Sequence, residues 1–273
     1  MKDLAFGQFY PTKSFVHNMD ARIKILCVIA FIVAVFLVTP FHFLGFLACL
    51  LFVILSTLLS RVPLLKVVKS IKGILFIIVL SAVLQIFFNT DGTKLVHWNF
   101  ILITDKGLLS AGFLVARITL IVLGASLLTL TTSPVEIADA IESLMTPLKW
   151  IKFPVHEFAL IMSIALRFIP TLLDETDRII KAQKARGADF ESGSIFKRAK
   201  ALIPVLIPLL ISSFRRADEL ADAMDSRCYS GSKNRTKYKK MKLTYRDLFA
   251  TILTAGLIVS IVFLNKFYLF LVI

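Results

Sequence analysis

A chain of 273 residues that is 57% hydrophobic, only 18% charged and +0.81 in mean hydropathy is too apolar for an ordinary soluble domain. Lys and Arg nevertheless outnumber Asp and Glu by 32 to 18, leaving a net charge of +14. Apolar bulk with a basic excess points to a polytopic membrane protein with basic loops, and away from a nucleic-acid binder, which would have to bury 24 Phe in a soluble fold.

Cys27, Cys49 and Cys228 share no metal-type spacing, and His17, His42, His97 and His156 are scattered. No metal site is read from them, and the cysteines are taken as free thiols. The N-terminus lacks the charged, apolar and cleavage segments in sequence, so no removable signal peptide is expected.

Residues 1–24 are mixed and basic. Residues 25–60 then hold no Asp, Glu, Lys or Arg. As one helix this run would be about 54 Å long at about 1.5 Å per residue, too long for a hydrocarbon core of about 30 Å. Thr39-Pro40 offers a break, giving a first span near 25–38 and a second near 43–60. Arg61, Lys66, Lys69 and Lys72 read as a short basic loop, and 73–89 as a third span. Residues 90–106 read as a polar connection with Trp98 as an interfacial anchor. Residues 107–132 make a fourth span, with Arg117 inside it.

Ser133-Pro134-Val135-Glu136 has the signature of a capped helix start, with Ser at the N-cap, Pro at N1 and Glu at N3. Ile137, Ile141, Leu144 and Leu148 share one face of this short helix, which Pro147 is expected to end. A longer helix follows Pro154. It is apolar from Phe158 to Leu173 apart from Arg167, with a kink expected at Pro170, and charged thereafter. Asp174 precedes Arg178 by four residues and Asp177 precedes Lys181 by four, the favourable order for helical ion pairs. Gly187 suits a left-handed stop. A third helix is expected from about Ile195 to Arg227, with Pro204 and Pro208 in its apolar half. The run Lys233, Arg235, Lys237, Lys239, Lys240 and Lys242 reads as a topology signal that touches anionic lipid. A last span covers 248–271.

Five spans with the N-terminus in the cytoplasm put all the Lys and Arg inside except Lys94, Lys106 and Lys266, with Arg117 within a span. The excess of positive charge favours this orientation. It divides the chain into a membrane region 1–132, a cytoplasmic region 133–247 and a last span 248–273. Phe158–Leu173 and Ala201–Phe214 leave two readings open: two further crossings, which would return to the same side and so leave the charge count unchanged, or interfacial or packed helices, the preferred reading because both runs are short and proline-bearing and Arg167 sits in one.

The two long helices end alike. Lys181-Ala182-Gln183-Lys184-Ala185-Arg186-Gly187 lies over Asp222-Ala223-Met224-Asp225-Ser226-Arg227-Cys228, with Ala182 on Ala223 and Arg186 on Arg227. A cation is favoured at a helix C-terminus, and an exposed guanidinium can grip a partner's carboxylate with two hydrogen bonds. Ordinary helix capping explains either arginine alone. Arg167 is read as pairing with an acid of a neighbouring helix or reaching the headgroups. Asp218, Glu219 and Asp222 are candidates for ion pairs with Arg215, Arg216 or the other helix. No G-x-x-x-x-G-K-[ST] occurs, so a P-loop for ATP is excluded.

These residues carry a resemblance. Gly7-Gln8-Phe9-Tyr10-Pro11, Ser14-Phe15-Val16-His17, Asp20-Ala21-Arg22-Ile23-Lys24, Thr131-Thr132-Ser133-Pro134, Leu166-Arg167-Phe168-Ile169-Pro170, Ala185-Arg186-Gly187 and Ser226-Arg227-Cys228 occur in the order found in the EcfT/CbiQ family, which the chain resembles over nearly its whole length. Ala21 stands where the family has Pro, and Cys228 where some members have Gly. The resemblance implies an all-α polytopic membrane protein with about five transmembrane helices and a cytoplasmic coupling region of one short and two long crossing helices. It implies a non-catalytic scaffold of an energy-coupling factor (ECF) importer in a bacterial plasma membrane. Ala185, Arg186, Gly187, Ser226, Arg227 and Cys228 would then dock on two ABC ATPases, which bind ATP and Mg while this chain binds no cofactor. The apolar halves of the long helices would meet a substrate-binding S component that carries a vitamin. The alternatives are a CbiQ-like subunit of a cobalt or nickel importer and a stand-alone carrier; the single intramembrane charge, Arg117, argues against the latter. A membrane enzyme would need clustered acids or histidines, which the spacing does not offer.

Overall fold

The computed structural model describes residues 9–39, 43–89, 93–98, 101–151, 154–190, 192, 194–229, 231 and 243–272. Gly7 and Gln8 of the opening motif, the Pro40 break, the side chain of Trp98 and the basic run from Lys233 to Lys242 lie outside the described part. In chain order the helices are α1 (Ala21–Leu37), α2 (Phe43–Ser60), α3 (Leu64–Lys69), α4 (Leu75–Phe88), α5 (Asp105–Thr131), α6 (Pro134–Leu144), α7 (Val155–Ala185), α8 (Ile195–Ala201), α9 (Ile203–Asp225) and α10 (Tyr245–Val272). The chain divides into two compact units, Phe9–Ser133 with Met241–Ile273, and Pro134–Lys240.

The polytopic helical expectation holds. α2, α5, α7 and α10 are long and apolar enough to cross a bilayer, and α3–α4 add a fifth if that bent pair is one broken span. The predicted spans coincide with α1, α2, α4, α5 and α10. α1 has 17 residues, about 26 Å of helix, near the lower limit for a crossing. α7 passes on length and composition, although the sequence reading kept its apolar half out of the bilayer.

Two connections differ from expectation. Residues 64–73 are not a loop but α3 followed by a 3₁₀ turn, Ser70–Gly73, bent 62° from α4. Lys66, Lys69 and Lys72 recur every three residues and so share one side, while Val67 is buried in the core. An amphipathic element of this kind suits the membrane surface. The second is the stretch before α5. It holds an antiparallel hairpin, β1 (Lys94–Trp98) with β2 (Ile101–Thr104), with His97 opposite Leu102 and an irregularity between Lys94 and Val96. The β-branched and aromatic content of these residues favours strand over coil.

The first unit is held by charged and polar side chains placed at helix ends. The Lys24 ammonium, near the start of α1 and 5% exposed, donates to the Thr131 carbonyl (3.1 Å), the Thr132 hydroxyl (3.3 Å) and the His17 carbonyl (3.1 Å). It therefore satisfies the C-terminus of α5. Arg117 of α5 returns the favour to α1: its Nη2 donates to the Val38 carbonyl at 2.8 Å, and its guanidinium lies over the Phe46 ring. α1 and α5 are thus antiparallel, and each supplies a cation to the other's carbonyl end, where the helix dipole is negative. Sequence reading left the partner of Arg117 unnamed. It is a backbone oxygen, which no residue pattern advertises.

Asp247 does the same for two N-termini. One carboxylate oxygen accepts from the Thr244 N–H (2.7 Å) and closes a capping box on α10; the other accepts from the Asp20 N–H (2.8 Å) at the mouth of α1. Further along, Cys27 meets Thr254, and Asn265 donates to the Leu37 carbonyl at 2.7 Å. A near-constant separation of 226 to 228 residues makes α1 and α10 parallel neighbours. Between these ties Phe31, Val35, Phe46, Val53, Leu123 and Leu127 form part of one core. Gly124 lets α5 approach α1: a Cβ there would fall 2.5 Å from the Phe31 ring.

Lys24→Met removes the hydrogen bonds to the Thr131 carbonyl, the Thr132 hydroxyl and the His17 carbonyl and takes a donor from the buried end of α5, which should cost about 2–4 kcal/mol. Thermal unfolding of the full chain in detergent measures it, and an unchanged midpoint would refute the capping role. Gly124→Ala should cost about 1–3 kcal/mol by overpacking. Phe31→Leu in the same chain should restore part of that loss; an Ala variant as stable as the parent would show that the approach is not tight.

Candidate functional site

The second unit is built around α7 and α9. The helical course from Ile195 is interrupted once, at Leu202, so that α8 and α9 replace the single helix expected. Pro204 explains the break: it has no N–H to give to the preceding turn and sits in the first turn of α9. The helices continue through Pro170 and Pro208. α6 ends at Leu144 and is followed by a 3₁₀ segment, Thr146–Ile151, that contains Pro147. His156 at the start of α7 hydrogen-bonds Glu142 of α6 at 3.2 Å.

α7 and α9 run antiparallel. Gln183 donates to the Pro204 carbonyl (3.4 Å), and about two turns away along α7 Glu175 accepts from the Ser212 hydroxyl and from Arg216 (2.7 Å). This Glu175–Ser212–Arg216 clamp is the polar centre of the pair, and sequence reading missed it. The signal available was Ser212 and Arg216 four residues apart on one face of α9, facing the polar half of α7.

Each of these helices ends in the same cap. At the end of α7, Arg186 N–H bonds the Ala182 and Gln183 carbonyls (3.2 and 3.1 Å), Gly187 is left-handed at φ +87°, and Ala188 N–H reaches back to the Gln183 carbonyl (3.0 Å). At the end of α9, Arg227 N–H bonds the Met224 carbonyl (3.1 Å), Cys228 is left-handed at φ +56°, and Tyr229 N–H reaches back to the same Met224 carbonyl (3.1 Å). The long backward bond after a left-handed residue is the Schellman arrangement. The sequence overlay therefore extends to the backbone: Arg186 on Arg227, Gly187 on Cys228, Gln183 on Met224. Both tripeptides, Ala185-Arg186-Gly187 and Ser226-Arg227-Cys228, are exposed. Because Gln183 lies level with Pro204 at the start of α9, the two arginines are at opposite ends of the pair, about 35 Å apart along the 23 residues of α9.

The remaining candidates are not drawn together. Arg167, Asp218, Glu219 and Asp222 are exposed and make no ion pair among the described residues. The ion pair between the two helices is Arg216 with Glu175 instead, because the antiparallel register sets those two level. Both helices present apolar side chains outward, Phe158, Ile161 and Ile169 on α7, and Leu206, Ile207, Leu210, Ile211 and Phe214 on α9. Val155 and Val205 are the buried residues of α7 and α9. Among the described residues, no three His, Cys, Asp or Glu gather into a metal-binding group.

Cys228 carries a β-carbon where glycine is unstrained, so Cys228→Gly should stabilise the α9 end by about 1 kcal/mol. Gly187→Ala should weaken the α7 end by a similar amount. Hydrogen exchange of the amides at 226–229 and 186–188 in the full chain would report slower exchange in the first variant and faster exchange in the second; the opposite ordering would show that the caps do not hold the ends.

The chain matches the family model described as cobalt transport protein, CbiQ, over residues 12–238. Curated relatives named energy-coupling factor transporter transmembrane protein EcfT match along almost the full length. That of Clostridium kluyveri is 47% identical over 269 residues, covering 98% of each chain. That of Ruminiclostridium cellulolyticum is 48% identical over 254 residues, covering 93% of this chain and 94% of its own. That of Bacillus subtilis is 41% identical over 271 residues, covering 99% of each. With this likeness carried from the opening segment through both arginine-tipped helices to the last span, the chain belongs to the EcfT/CbiQ family of transmembrane components of energy-coupling factor transporters.

Proposed function

We propose that the chain is the coupling scaffold of an ECF importer: it converts ATP-driven movement of a pair of ABC ATPases into movement of an S component that carries a vitamin. The observation that carries this reading is the repeated cap. Two exposed arginines stand on the same type of backbone turn at the two ends of one antiparallel helix pair. Two similar ends about 35 Å apart call for two similar sockets, as a pair of ATPases provides. An exposed guanidinium beside such a turn is free to make a two-pronged bond to a partner's carboxylate. The chain lacks a P-loop, so ATP and Mg belong on the partners.

The exposed apolar faces of α7 and α9 are the surface for the S component. Apolar side chains this contiguous on exposed helices mark a contact with membrane or protein. In this reading the N-terminus and residues 133–247 face the cytoplasm, where the ATPases are, and the Glu175–Arg216 clamp keeps the two arms moving as one body. The family model's description favours a second reading, a cobalt or nickel importer. Relatives named energy-coupling factor transporter transmembrane protein EcfT, at 41% to 48% identity over nearly the whole chain, support the first reading.

A tagged pull-down from detergent-solubilised native membranes tests the assignment. Wild type should bring down two P-loop ATPases and a small membrane protein, whose bound vitamin or metal ion separates the two readings. Arg186→Glu with Arg227→Glu should lose the ATPases by at least about tenfold, since each docked arginine carries about 1.5–3 kcal/mol. ATPases retained by the folded double variant would remove the arginines from the docking role; a chain that comes down alone would overturn the coupling reading.

A further inference from the structure

Lys13, Arg61 and Arg246 come from three parts of the first unit: the segment before α1, the residue after α2 and the first turn of α10. They line one polar cavity of about 420 Å³, together with Ser14 and Asn18. None of the three makes an ion pair among the described residues. The neighbouring acid, Asp247, has both oxygens committed to the N–H groups of Thr244 and Asp20. Arg246 is held over the rings of Phe15 and Tyr245. Arg61 adopts φ +54°, a left-handed conformation that glycine would occupy without strain. Three cations without a salt bridge among the described residues are thus brought to one hollow, one of them on strained backbone.

A second cavity lies one to two turns deeper along the same helices. It measures about 110 Å³ and is walled by Val28, Phe52, Val53, Leu127, Phe249 and Leu253. Phe15 and Leu59 line both cavities. For comparison, an apolar cavity of about 150 Å³ holds benzene, so the deeper space takes a stretch of alkyl chain. The basic cavity is at the end of α2 and the start of α10, two helices long and apolar enough to cross a bilayer, so a crossing sets it at headgroup depth and the apolar one in the hydrocarbon.

We propose that these adjoining cavities bind an anionic glycerophospholipid, its phosphate among Lys13, Arg61 and Arg246 and the upper part of one acyl chain beside Phe52 and Leu253. Basic hollows between transmembrane helices suit anionic headgroups, and the shared Phe15 wall ties the charged end of the ligand to its aliphatic end. The site is independent of the arginine caps and of the transport role.

The test is native mass spectrometry of the full chain released from nanodiscs of mixed phosphatidylglycerol and phosphatidylcholine. Wild type should retain one phosphatidylglycerol in preference to phosphatidylcholine by about tenfold or more. Arg61→Gly should lower that preference about fivefold, since one cation at the membrane surface contributes on that scale. The same change relieves the left-handed strain, so its thermal midpoint should not fall. Lys13→Gln with Arg61→Gly and Arg246→Gln should abolish the preference. Glycerol 3-phosphate, a headgroup without tails, should leave the retained lipid in place. A wild type without preference, an Arg61→Gly chain that keeps its full preference, or displacement by glycerol 3-phosphate would each overturn the lipid assignment, the last in favour of a phosphate site.

Discussion

The membrane unit depends on a mutual arrangement of two cations and two helix ends. A helix buried in an apolar medium leaves its last carbonyls without donors, and in hydrocarbon each such group costs several kcal/mol. Lys24 answers this for α5 and Arg117 answers it for α1. Neither cation needs an acid at that point, because carbonyls at a helix C-terminus already carry partial negative charge. The price of two charges in an apolar unit is offset by hydrogen bonds that the fold requires in any case. Asp247 applies the same logic with the sign reversed, giving its two oxygens to N–H groups at the starts of α1 and α10.

This arrangement separates scaffold chemistry from working chemistry within one chain. In the first unit the buried charged groups, Lys24 and Asp247, are matched to helix ends. In the second, α7 and α9 bury almost nothing of their own and are joined through the Glu175 clamp and a glutamine. Their tips and their apolar faces are exposed. A pair of helices with so little buried surface of its own is open to contact along its length.

Much of this was legible in sequence because the signals were local. Charge-free runs located the spans, and an overlay of two heptapeptides located two helix ends that proved to share a backbone turn. The left-handed stop was readable at Gly187, where residue type demands it, and was not readable at Cys228, where it does not. What stayed hidden was non-local. Arg117 and Lys24 meet backbone oxygens, which leave no trace in residue type. The Glu175 clamp depends on the register between α7 and α9, which no local pattern fixes. Residues 64–73 looked like a loop because lysines every three residues read as polarity, when on an amphipathic element at the bilayer surface they mark one face.

The parallel pairing of α1 with α10 also bears on how the chain is made. The groups that tie α1 on that side, Asp247, Thr254 and Asn265, come more than two hundred residues after their partners. A ribosome delivers α1 first and α10 last, so α1 enters the membrane with one flank uncovered and waits through the synthesis of the entire arginine-bearing segment. Domains that close on their own N-terminal end fold early during synthesis; this one cannot. The membrane unit shuts only when the final helix is inserted beside the first, and until then the nascent chain must rely on lipid or on insertion machinery to cover that flank.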